Sequence, residues 1–192
     1  WMFRTHVQTS GSSLVAQQPM NNIIRATLQT LSAVLGGVQS LAVSSYDEAI
    51  CLPGEESVQL SLRTQQIIGD ESGVADTVDP LGGSYFIESL TDKLEQSARE
   101  YIEKIDSLGG AVSAIEQGYP QREIQESSYR FHQEVESGSR VVVGVNKYIS
   151  PYPPITEITR VDAHIIKKQH DNLTRLKQQR DAAKVATTLE NL

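Results

Sequence analysis

The polar run near the start of the chain carries the residue types best suited to chemistry. It reads Arg4-Thr5-His6-Val7-Gln8-Thr9-Ser10-Gly11 and places an imidazole, an amide and several hydroxyls at the end of an extended segment. In α/β barrels, active sites are built from side chains at the carboxyl ends of parallel strands. The two-residue alternation of a strand places Arg4, His6 and Gln8 on one face. This run therefore predicts a binding or catalytic site at a strand end.

A strand, a loop and a helix are expected to position this polar run. The pattern predicts a strand over 3–9 and a loop over 10–18. Asn21 or Asn22 is expected to cap a helix whose apolar residues recur at helical spacing. Gly36-Gly37 should end that helix, because a glycine there accepts positive φ.

A second strand and helix follow in the same order. The pattern predicts a short strand over 40–44 and a helix over 56–71 that stops at Gly73. A strand–helix–strand–helix succession is typical of a parallel sheet. The first half of the chain is therefore expected to be α/β.

Helices are predicted to dominate the second half of the chain. An apolar stripe from Leu90 to Ile105 predicts a long helix ended by Gly109-Gly110, and Pro120 suits the first turn of a later helix. The β-branched run Arg140–Val145 is expected to form a buried strand. The remaining predictions are a short helix over 111–117, a stiff linker over 150–154 and one or two surface helices over 162–192.

Length and composition exclude several classes of protein. The chain has 192 residues, enough for one domain with a core, and lacks an apolar run of the roughly 18 residues that span a membrane. Its formal net charge of −7 argues against a broad nucleic-acid surface. Cys51 is the only cysteine, which excludes an internal disulfide and favours a reducing compartment. We therefore expect a cytoplasmic protein that binds neither nucleic acid nor membrane.

The polar run also resembles a sequence motif of a known family. It resembles the large catalytic subunit of the coenzyme B12-dependent acyl-CoA mutases, the methylmalonyl-CoA mutase family. Further matching segments follow in the family's order: Pro19–Arg25, Gly36–Leu41, Ser44–Ala49, Asp79–Tyr85 and Val143–Tyr148. The match is nearly collinear from Arg4 to Tyr148 and looser in the tail. Several ordered segments together make coincidence a poor explanation.

The resemblance implies an α/β fold in which 1–149 form the C-terminal portion of a TIM (β/α)8 barrel. The extended linker and helical tail would then occupy 150–192. A complete barrel takes about 250 residues, so the chain is expected to be incomplete on its own. It would be a fragment, one product of a split gene, or the ordered part of a longer chain. An unpaired sheet edge then predicts pairing with a second copy or with the missing portion.

The resemblance also implies a reaction and a cofactor. Family members carry out a radical 1,2-rearrangement of acyl-CoA thioesters with adenosylcobalamin, and methylmalonyl-CoA/succinyl-CoA interconversion is the first choice here. The Asp-x-His-x-x-Gly signature of the cobalamin-binding module does not occur in this sequence. The cofactor would therefore be shared with a separate cobalamin-binding domain or subunit. We expect the chain to be inactive alone and to act in a homo- or hetero-oligomer with an acyl-CoA substrate.

Four positions match cofactor-contacting positions of the family, namely Gln8, Gly11, Glu48 and Ala49. An amide offers both a donor and an acceptor, and a glycine permits close approach of a flat macrocycle. A carboxylate can accept from ribose hydroxyls, and a small neighbour leaves room for adenosine. The alternatives are a loop-capping amide at Gln8 and, at Glu48, a solvated carboxylate at a helix start.

Three residues are candidates for the substrate side of the cavity, and the resemblance places one of them, His6, facing it. His6 is the candidate catalytic and substrate-binding residue, since an imidazole there could donate to an acyl or thioester oxygen. Gln39 and Ser40 open the second strand and would reach the CoA side. The alternatives are a hydrogen-bonded histidine at a strand end and, for the other two, packing or capping.

No metal site is expected, because His132, His164 and His170 lack ligand partners at suitable spacing and suit a solvated surface. The chain also departs from the family's spelling at Ala42-Val43-Ser44, where His-Thr-Asn is frequent, and at Ser12, where several mutases carry Trp. These losses leave open a non-catalytic barrel paralogue that acts as a structural partner subunit. A weaker alternative makes the charged tail an arm that wraps a partner.

Overall fold

The computed structural model describes residues 4–152, 158 and 160–191, in two compact units, Trp1–Ile155 and Thr156–Leu192. The first unit contains β1 (His6–Gln8), α1 (Asn21–Leu35), β2 (Ser40–Ala42), α2 (Glu55–Asp70), α3 (Tyr85–Ser107), α4 (Ala111–Glu116) and α5 (Tyr119–Glu136), with 3-10 turns at Gly11–Ser13 and Val74–Asp76. The second unit contains α6 (Ala163–Gln179) and α7 (Ala182–Glu190).

The two strands form a parallel pair joined by α1. His6 pairs with Ser40, and Gln8 pairs with Ala42 at the carboxyl ends. This strand–helix–strand crossover has the α/β arrangement that the sequence predicts. Both strands are shorter than predicted, and the start of the first one, at Phe3, lies outside the described residues. The order of the strands brings the loop after β1 and the loop after β2 to the same edge of the sheet.

Helix α1 packs against α2, and the buried positions of α1 carry small and polar side chains. Asn22, Ala26 and Thr30 recur four residues apart and form the buried side of α1. The Thr30 hydroxyl donates to the Ala26 carbonyl at 2.7 Å, so its polar atom is satisfied within the helix. Ile24 and Leu28, by contrast, are 61% and 60% exposed. The large apolar residues of α1 are therefore not the ones that this chain buries.

The predicted asparagine cap of α1 is wrong. The helix begins at Asn21 with Met20 at the cap position, and no side chain caps it. Asn22 is fully buried, and its amide is used elsewhere, on the backbone of the preceding loop and of the turn after β2. Leaving those buried carbonyls unpaired would cost more than leaving an accessible first-turn N–H to water.

The helices of the second half agree closely with the sequence pattern. α3 ends before Gly109 and Gly110, whose φ angles of +95° and +91° suit glycine. α5 begins with Pro120 in its first turn, as predicted. The two long helices are linked by a hydrogen bond of 3.0 Å from the Tyr101 hydroxyl to the Glu123 carboxylate, which raises the pKa of Tyr101.

The buried strand predicted at Arg140–Val145 is wrong. This segment forms turns, with one isolated bridge from Val143 to Lys147. The Asn146 amide closes the loop, accepting from the N–H of Val142 at 2.7 Å and donating to the carbonyls of Val135 and Arg140 at 2.8 and 2.7 Å. Since this side chain satisfies the backbone groups that a neighbouring strand would pair, the β-branched run folds as a loop.

The second unit consists of the two helices predicted for the tail. α6 is capped by Asp162, whose carboxylate accepts from the His164 N–H at 2.6 Å. α7 is capped in the same way by Asp181, at 3.0 and 3.1 Å from two N–H donors. The Pro153-Pro154 end of the predicted linker lies outside the described residues.

Much of the apolar side-chain area of the first unit remains accessible. Among the described residues, the buried hydrophobic side chains are Leu14, Ala26, Ile68 and Ala114. The exposed large ones include Ile24, Leu28, Phe86, Leu94, Ile124 and Phe131. Within the described ranges, no helix is both long and apolar enough to cross a membrane. Extended apolar patches on helices of this kind mark surfaces that contact other protein segments.

Candidate active site

The candidate site lies where the loops after the two parallel strands meet. The ends of the strands are joined by Thr9 and Ser44, which are both buried. The Ser44 N–H donates to the Thr9 hydroxyl at 2.8 Å, and the Ser44 hydroxyl donates to the Thr9 carbonyl at 3.1 Å. Because Ser44 donates both bonds to Thr9, the two loops are joined at two points where they leave the sheet.

Gln8 lies at the carboxyl end of β1 and reaches across the sheet. Its amide nitrogen is 3.5 Å from the Ser44 hydroxyl, at the outer limit of a hydrogen bond. The side chain is exposed, on the same face of β1 as His6. A long contact of this kind leaves the amide free to bond a ligand at little cost.

His6 is held by its partner across the sheet. Its Nδ1 atom lies 2.8 Å from the Ser40 hydroxyl, and the two residues are paired in register. The imidazole is exposed, on the same face of the strand as Gln8. The sequence therefore predicted two residues that the structure brings into contact.

Gln39 is placed differently from the other candidates. Its side-chain oxygen accepts from the Thr5 N–H at 2.7 Å and from the Thr5 hydroxyl at 3.2 Å. This contact lies at the amino ends of the two strands, beyond His6. Gln39 thus joins the strand starts, and its side chain lies apart from the carboxyl-end loops that carry Gly11 and Glu48.

Gly11 and Glu48 come together from the two different loops. A Cβ atom added to Gly11 would overlap the Oε1 atom of Glu48, so the carboxylate occupies the space that a side chain would need. Ala49 follows in the same turn and is exposed, as is Glu48 itself. The structure therefore places Gln8, Gly11, Glu48 and Ala49 at one edge of the sheet, on the two adjoining loops.

The turn that carries Glu48 is buried on its inner side. The Asn22 amide donates to the Tyr46 carbonyl at 2.8 Å and to the Val15 carbonyl at 2.8 Å. Burial raises the pKa of the Tyr46 hydroxyl, and the carboxylates of Glu56 and Asp47 raise it further. Tyr46 is therefore neutral at physiological pH and adds no charge beside Glu48.

A distant segment of the chain is fastened to the loop after β1. The Gln18 amide donates to the Tyr148 carbonyl and to the Ser150 hydroxyl, each at 3.0 Å. Arg25 donates to the Val143 carbonyl at 2.7 Å. The loop that carries Gly11 is thus held at its far end by residues more than one hundred positions away.

Replacing Gln18 with leucine should loosen this distant segment. Three hydrogen bonds are lost from a partly accessible site, two of them to this segment and one from the Asn21 amide. We therefore expect about 1 kcal/mol less stability and faster amide exchange over 143–150. Gln17→Leu is the matched control, since Gln17 is exposed on the same loop. Equal exchange in the two variants, measured by mass spectrometry, would rule out this fastening.

An open apolar groove lies beside the polar cluster and not within it. It has a volume of about 780 Å³ and lies between α1, α5 and the loop over 140–145. Its lining is mainly apolar, with Ser12 and Ser13 contributed by the turn that begins at Gly11. None of His6, Gln8 and Glu48 lines it. The exposed polar face of the strands, rather than this groove, is therefore the candidate site.

The described residues contain no group of three or more metal-ligating side chains. His132 forms an exposed pair with Glu136, at 3.2 Å, and His164 and His170 are exposed on α6. These histidines occupy solvated positions, as the sequence predicts for them.

Sequence reasoning missed the residues that support the site from behind. The sequence pattern predicts Asn22 as a helix cap, whereas its amide bonds the turn that carries Glu48. The pattern assigns no role to Asp47. The signal for Asn22 was its place in the row of small residues with Ala26 and Thr30, spaced by one helical turn. A polar residue in such a row has to satisfy its hydrogen bonds inside the fold.

Fold and site together define an α/β protein with a polar candidate site at the carboxyl ends of parallel strands. The family model described as methylmalonyl-CoA mutase matches residues 1–192. The chain therefore belongs to the methylmalonyl-CoA mutase family, and the resemblance seen in its motifs is confirmed.

Individual relatives agree with the family model. The methylmalonyl-CoA mutase of Escherichia coli (strain K12) is 46% identical over 190 residues, which are 98% of this chain and 27% of that protein. The 2-hydroxyisobutanoyl-CoA mutase large subunit of Aquincola tertiaricarbonis is 42% identical, over 98% of this chain and 34% of that protein. A probable mitochondrial methylmalonyl-CoA mutase of Caenorhabditis elegans is 41% identical, over 98% and 26%. The chain thus spans about a quarter to a third of the length of these relatives.

Proposed function

We propose that this chain supplies part of the catalytic barrel of an adenosylcobalamin-dependent acyl-CoA mutase. The observation that carries the proposal is the meeting of Gly11 and Glu48, from two separate loops, at the strand ends that also bear Gln8. Membership of the mutase family supports the reaction class. The exposed apolar helices support assembly with further barrel elements, with the chain as the C-terminal portion of a TIM barrel.

The residues present suit adenosylcobalamin as the cofactor. When bound, this group supplies the radical that begins the carbon-skeleton rearrangement. Gln8, Glu48 and Ala49 would hold it with an amide, a carboxylate and a small exposed surface, beside Gly11, which has no side chain. Neutral amides and a carboxylate that accepts from hydroxyls bind the group without competing for its reactive bond. A separate cobalamin-binding domain or subunit would hold the remainder of the cofactor.

His6 is the proposed catalytic residue. If the Ser40 hydroxyl donates to Nδ1, the imidazole is fixed as the tautomer with a proton on Nε2. That N–H could then donate to the thioester oxygen of an acyl-CoA and polarise the carbonyl. Ser40 would act by orienting His6, and Gln39 would set the spacing of the strand starts.

Replacing Ser40 with alanine tests this orientation. Without the hydroxyl the imidazole samples both tautomers and more than one rotamer, so kcat should fall about 10-fold while the KM for acyl-CoA changes little. Ser32→Ala, which removes an exposed hydroxyl on α1, should leave both constants unchanged. A fall in kcat that persists unaltered when His6 is also replaced would show that Ser40 acts by another route.

The substrate, partners and compartment follow from the same proposal. We propose methylmalonyl-CoA/succinyl-CoA interconversion, supported by the 46% identity to the methylmalonyl-CoA mutase of Escherichia coli. The assembly would be a homo- or hetero-oligomer, and the relative named a large subunit supports a second kind of subunit. The single Cys51 supports a reducing compartment such as the cytoplasm.

The experiment that tests the function uses the native protein purified with whatever it assembles with. Conversion of methylmalonyl-CoA to succinyl-CoA is measured with and without added adenosylcobalamin. Turnover that requires the cofactor supports the proposal. Cofactor binding without turnover of any branched or linear acyl-CoA would favour a structural partner subunit.

One observation favours that second function. Ala42 pairs with Gln8 at the carboxyl end of the strands and offers no hydrogen-bonding side chain there. A site that has lost polar groups beside the cofactor is typical of a paralogue that has kept the fold and lost the chemistry. Full activity in the native protein with Ala42 present would eliminate this alternative.

A further inference from the structure

Asp47 has a buried carboxylate and is not among the residues proposed to contact a ligand. It is 5% exposed and directly precedes Glu48. Its Oδ2 atom accepts from the Gly54 N–H at 3.3 Å and lies 3.9 Å from the Cys51 thiol. Its Oδ1 atom is buried with no hydrogen-bond partner among the described residues. A half-satisfied buried carboxylate destabilises the fold and therefore calls for a compensating role.

The contacts of Asp47 build the turn from which Glu48 projects. The Asp47 carbonyl accepts from the Ile50 N–H at 2.8 Å and from the Cys51 N–H at 3.0 Å. Its side chain at the same time fastens this turn to the residue that precedes α2, Gly54. Backbone and side chain of one residue thus fix both the shape of the turn and its distance from α2.

A second contact holds the same turn. The Tyr46 carbonyl is bonded by Asn22 of α1, so the turn is attached to α1 through Tyr46 and to the residue before α2 through Asp47. Glu48 itself is exposed, and its carboxylate lies close to Gly11. The direction of the Glu48 side chain therefore depends on the turn that carries it, and Asp47 and Asn22 hold this turn.

We propose that Asp47 is a positioning residue that holds the Glu48 carboxylate over Gly11. This inference rests on the proposed cofactor-binding role of Glu48. Without the acceptor at Oδ2 the turn separates from α2, and the carboxylate at Glu48 leaves the edge of the sheet.

The test is a double-mutant cycle in the native holoenzyme. Equilibrium binding of adenosylcobalamin is measured for Asp47→Ala, Glu48→Ala and the double variant, with the KM for acyl-CoA as a second quantity. We expect Asp47→Ala to weaken cofactor binding about 10-fold, to leave that KM unchanged, and to add little once Glu48 is alanine. A loss of the same size in both backgrounds would overturn the proposal, because it would show a general effect on the fold.

The conservative variant Asp47→Asn keeps an acceptor oxygen for the Gly54 N–H. It should bind the cofactor within about 3-fold of the wild type, and it keeps the test available if Asp47→Ala does not fold. Binding as weak as that of the alanine variant would overturn the role of the acceptor.

A readout without cofactor separates this inference from the proposed function. Amide exchange over 45–51 in the cofactor-free protein should rise in Asp47→Ala and stay near wild type in Asp47→Asn, with α3 unaffected in both. If the wild type binds no adenosylcobalamin, the proposed function fails, and this exchange pattern still decides whether Asp47 positions the turn. Unchanged exchange in Asp47→Ala would overturn the positioning role.

Discussion

Replacing Asn22 with leucine is expected to lower the free energy of unfolding by about 4 kcal/mol. The amide is fully buried and makes four hydrogen bonds to three different parts of the chain. Its nitrogen donates to the carbonyls of Val15 and Tyr46 at 2.8 Å, and its oxygen accepts from the Val15 N–H at 3.2 Å and from Arg25 at 2.7 Å.

The cost comes from the groups that Asn22 leaves behind. Leucine has the same branched shape with a larger volume, and it leaves one N–H and two carbonyls without partners at partly buried positions. Each such group costs about 1–3 kcal/mol, and the guanidinium of Arg25 can turn to solvent at smaller cost. The loop after β1 and the turn after β2 should therefore separate from α1 together.

The neighbouring residue provides the control. Asn21 is half-buried, and its amide bonds one side chain, the oxygen of Gln18 at 3.0 Å. Asn21→Leu should therefore cost less than about 1 kcal/mol. Chemical denaturation of the two variants measures the difference. If Asn22→Leu and Asn21→Leu unfold at the same denaturant concentration, the buried network does not stabilise the fold.

Asn22 also shows which features of this fold are predictable from the sequence. The positions of the helices followed from periodicity and from glycine and proline, as in α3 and α5, because those signals act locally. The side-chain amide of Asn22 could form either set of hydrogen bonds, those of a helix cap or those to the backbone of the two loops. The choice between them depends on where Val15 and Tyr46 lie in space, which local pattern does not contain.

The prediction of a strand over 140–145 is wrong for a related reason. Four valines in a short run favour a strand by propensity, yet a strand needs a neighbour to pair with. Here the Asn146 amide takes the backbone groups that such a neighbour would bond. The β propensity of the valines favours a strand locally, and the hydrogen bonds of the Asn146 side chain favour the loop instead.

The candidate site was predictable in part through the family resemblance. His6 and Ser40 came from separate motifs and prove to be hydrogen-bonded, and Gly11 and Glu48 prove to adjoin. Their roles toward a ligand stay predictions. The sequence does not identify Asp47, because an aspartate whose side chain will be buried is the same residue type as one that stays in solvent.

Replacing Gly11 with alanine should weaken the binding of adenosylcobalamin by the native holoenzyme about 10-fold or more. The added methyl group would overlap the Oε1 atom of Glu48. Because that atom is the far end of a flexible side chain, the overlap is relieved by rotating the carboxylate away, at little cost in stability. The variant should therefore fold normally and lose the position of Glu48.

Stability and affinity should thus respond separately to Gly11→Ala. Denaturation should show a change below about 1 kcal/mol, whereas equilibrium cofactor binding should show the full loss. Gly69→Ala provides the matched control, since it adds a methyl group in α2 where nothing lies within 4 Å. That variant should gain roughly 0.5–1 kcal/mol of stability and bind the cofactor as the wild type does.

The combination with Glu48→Ala decides between two causes of the loss. If Gly11→Ala acts by displacing the carboxylate, it should weaken cofactor binding much less when position 48 is already alanine. If instead the methyl group obstructs the cofactor itself, the loss should be equally large in both backgrounds, which would assign Gly11 to close approach of the ligand. Wild-type affinity in Gly11→Ala would remove both residues from the proposed site.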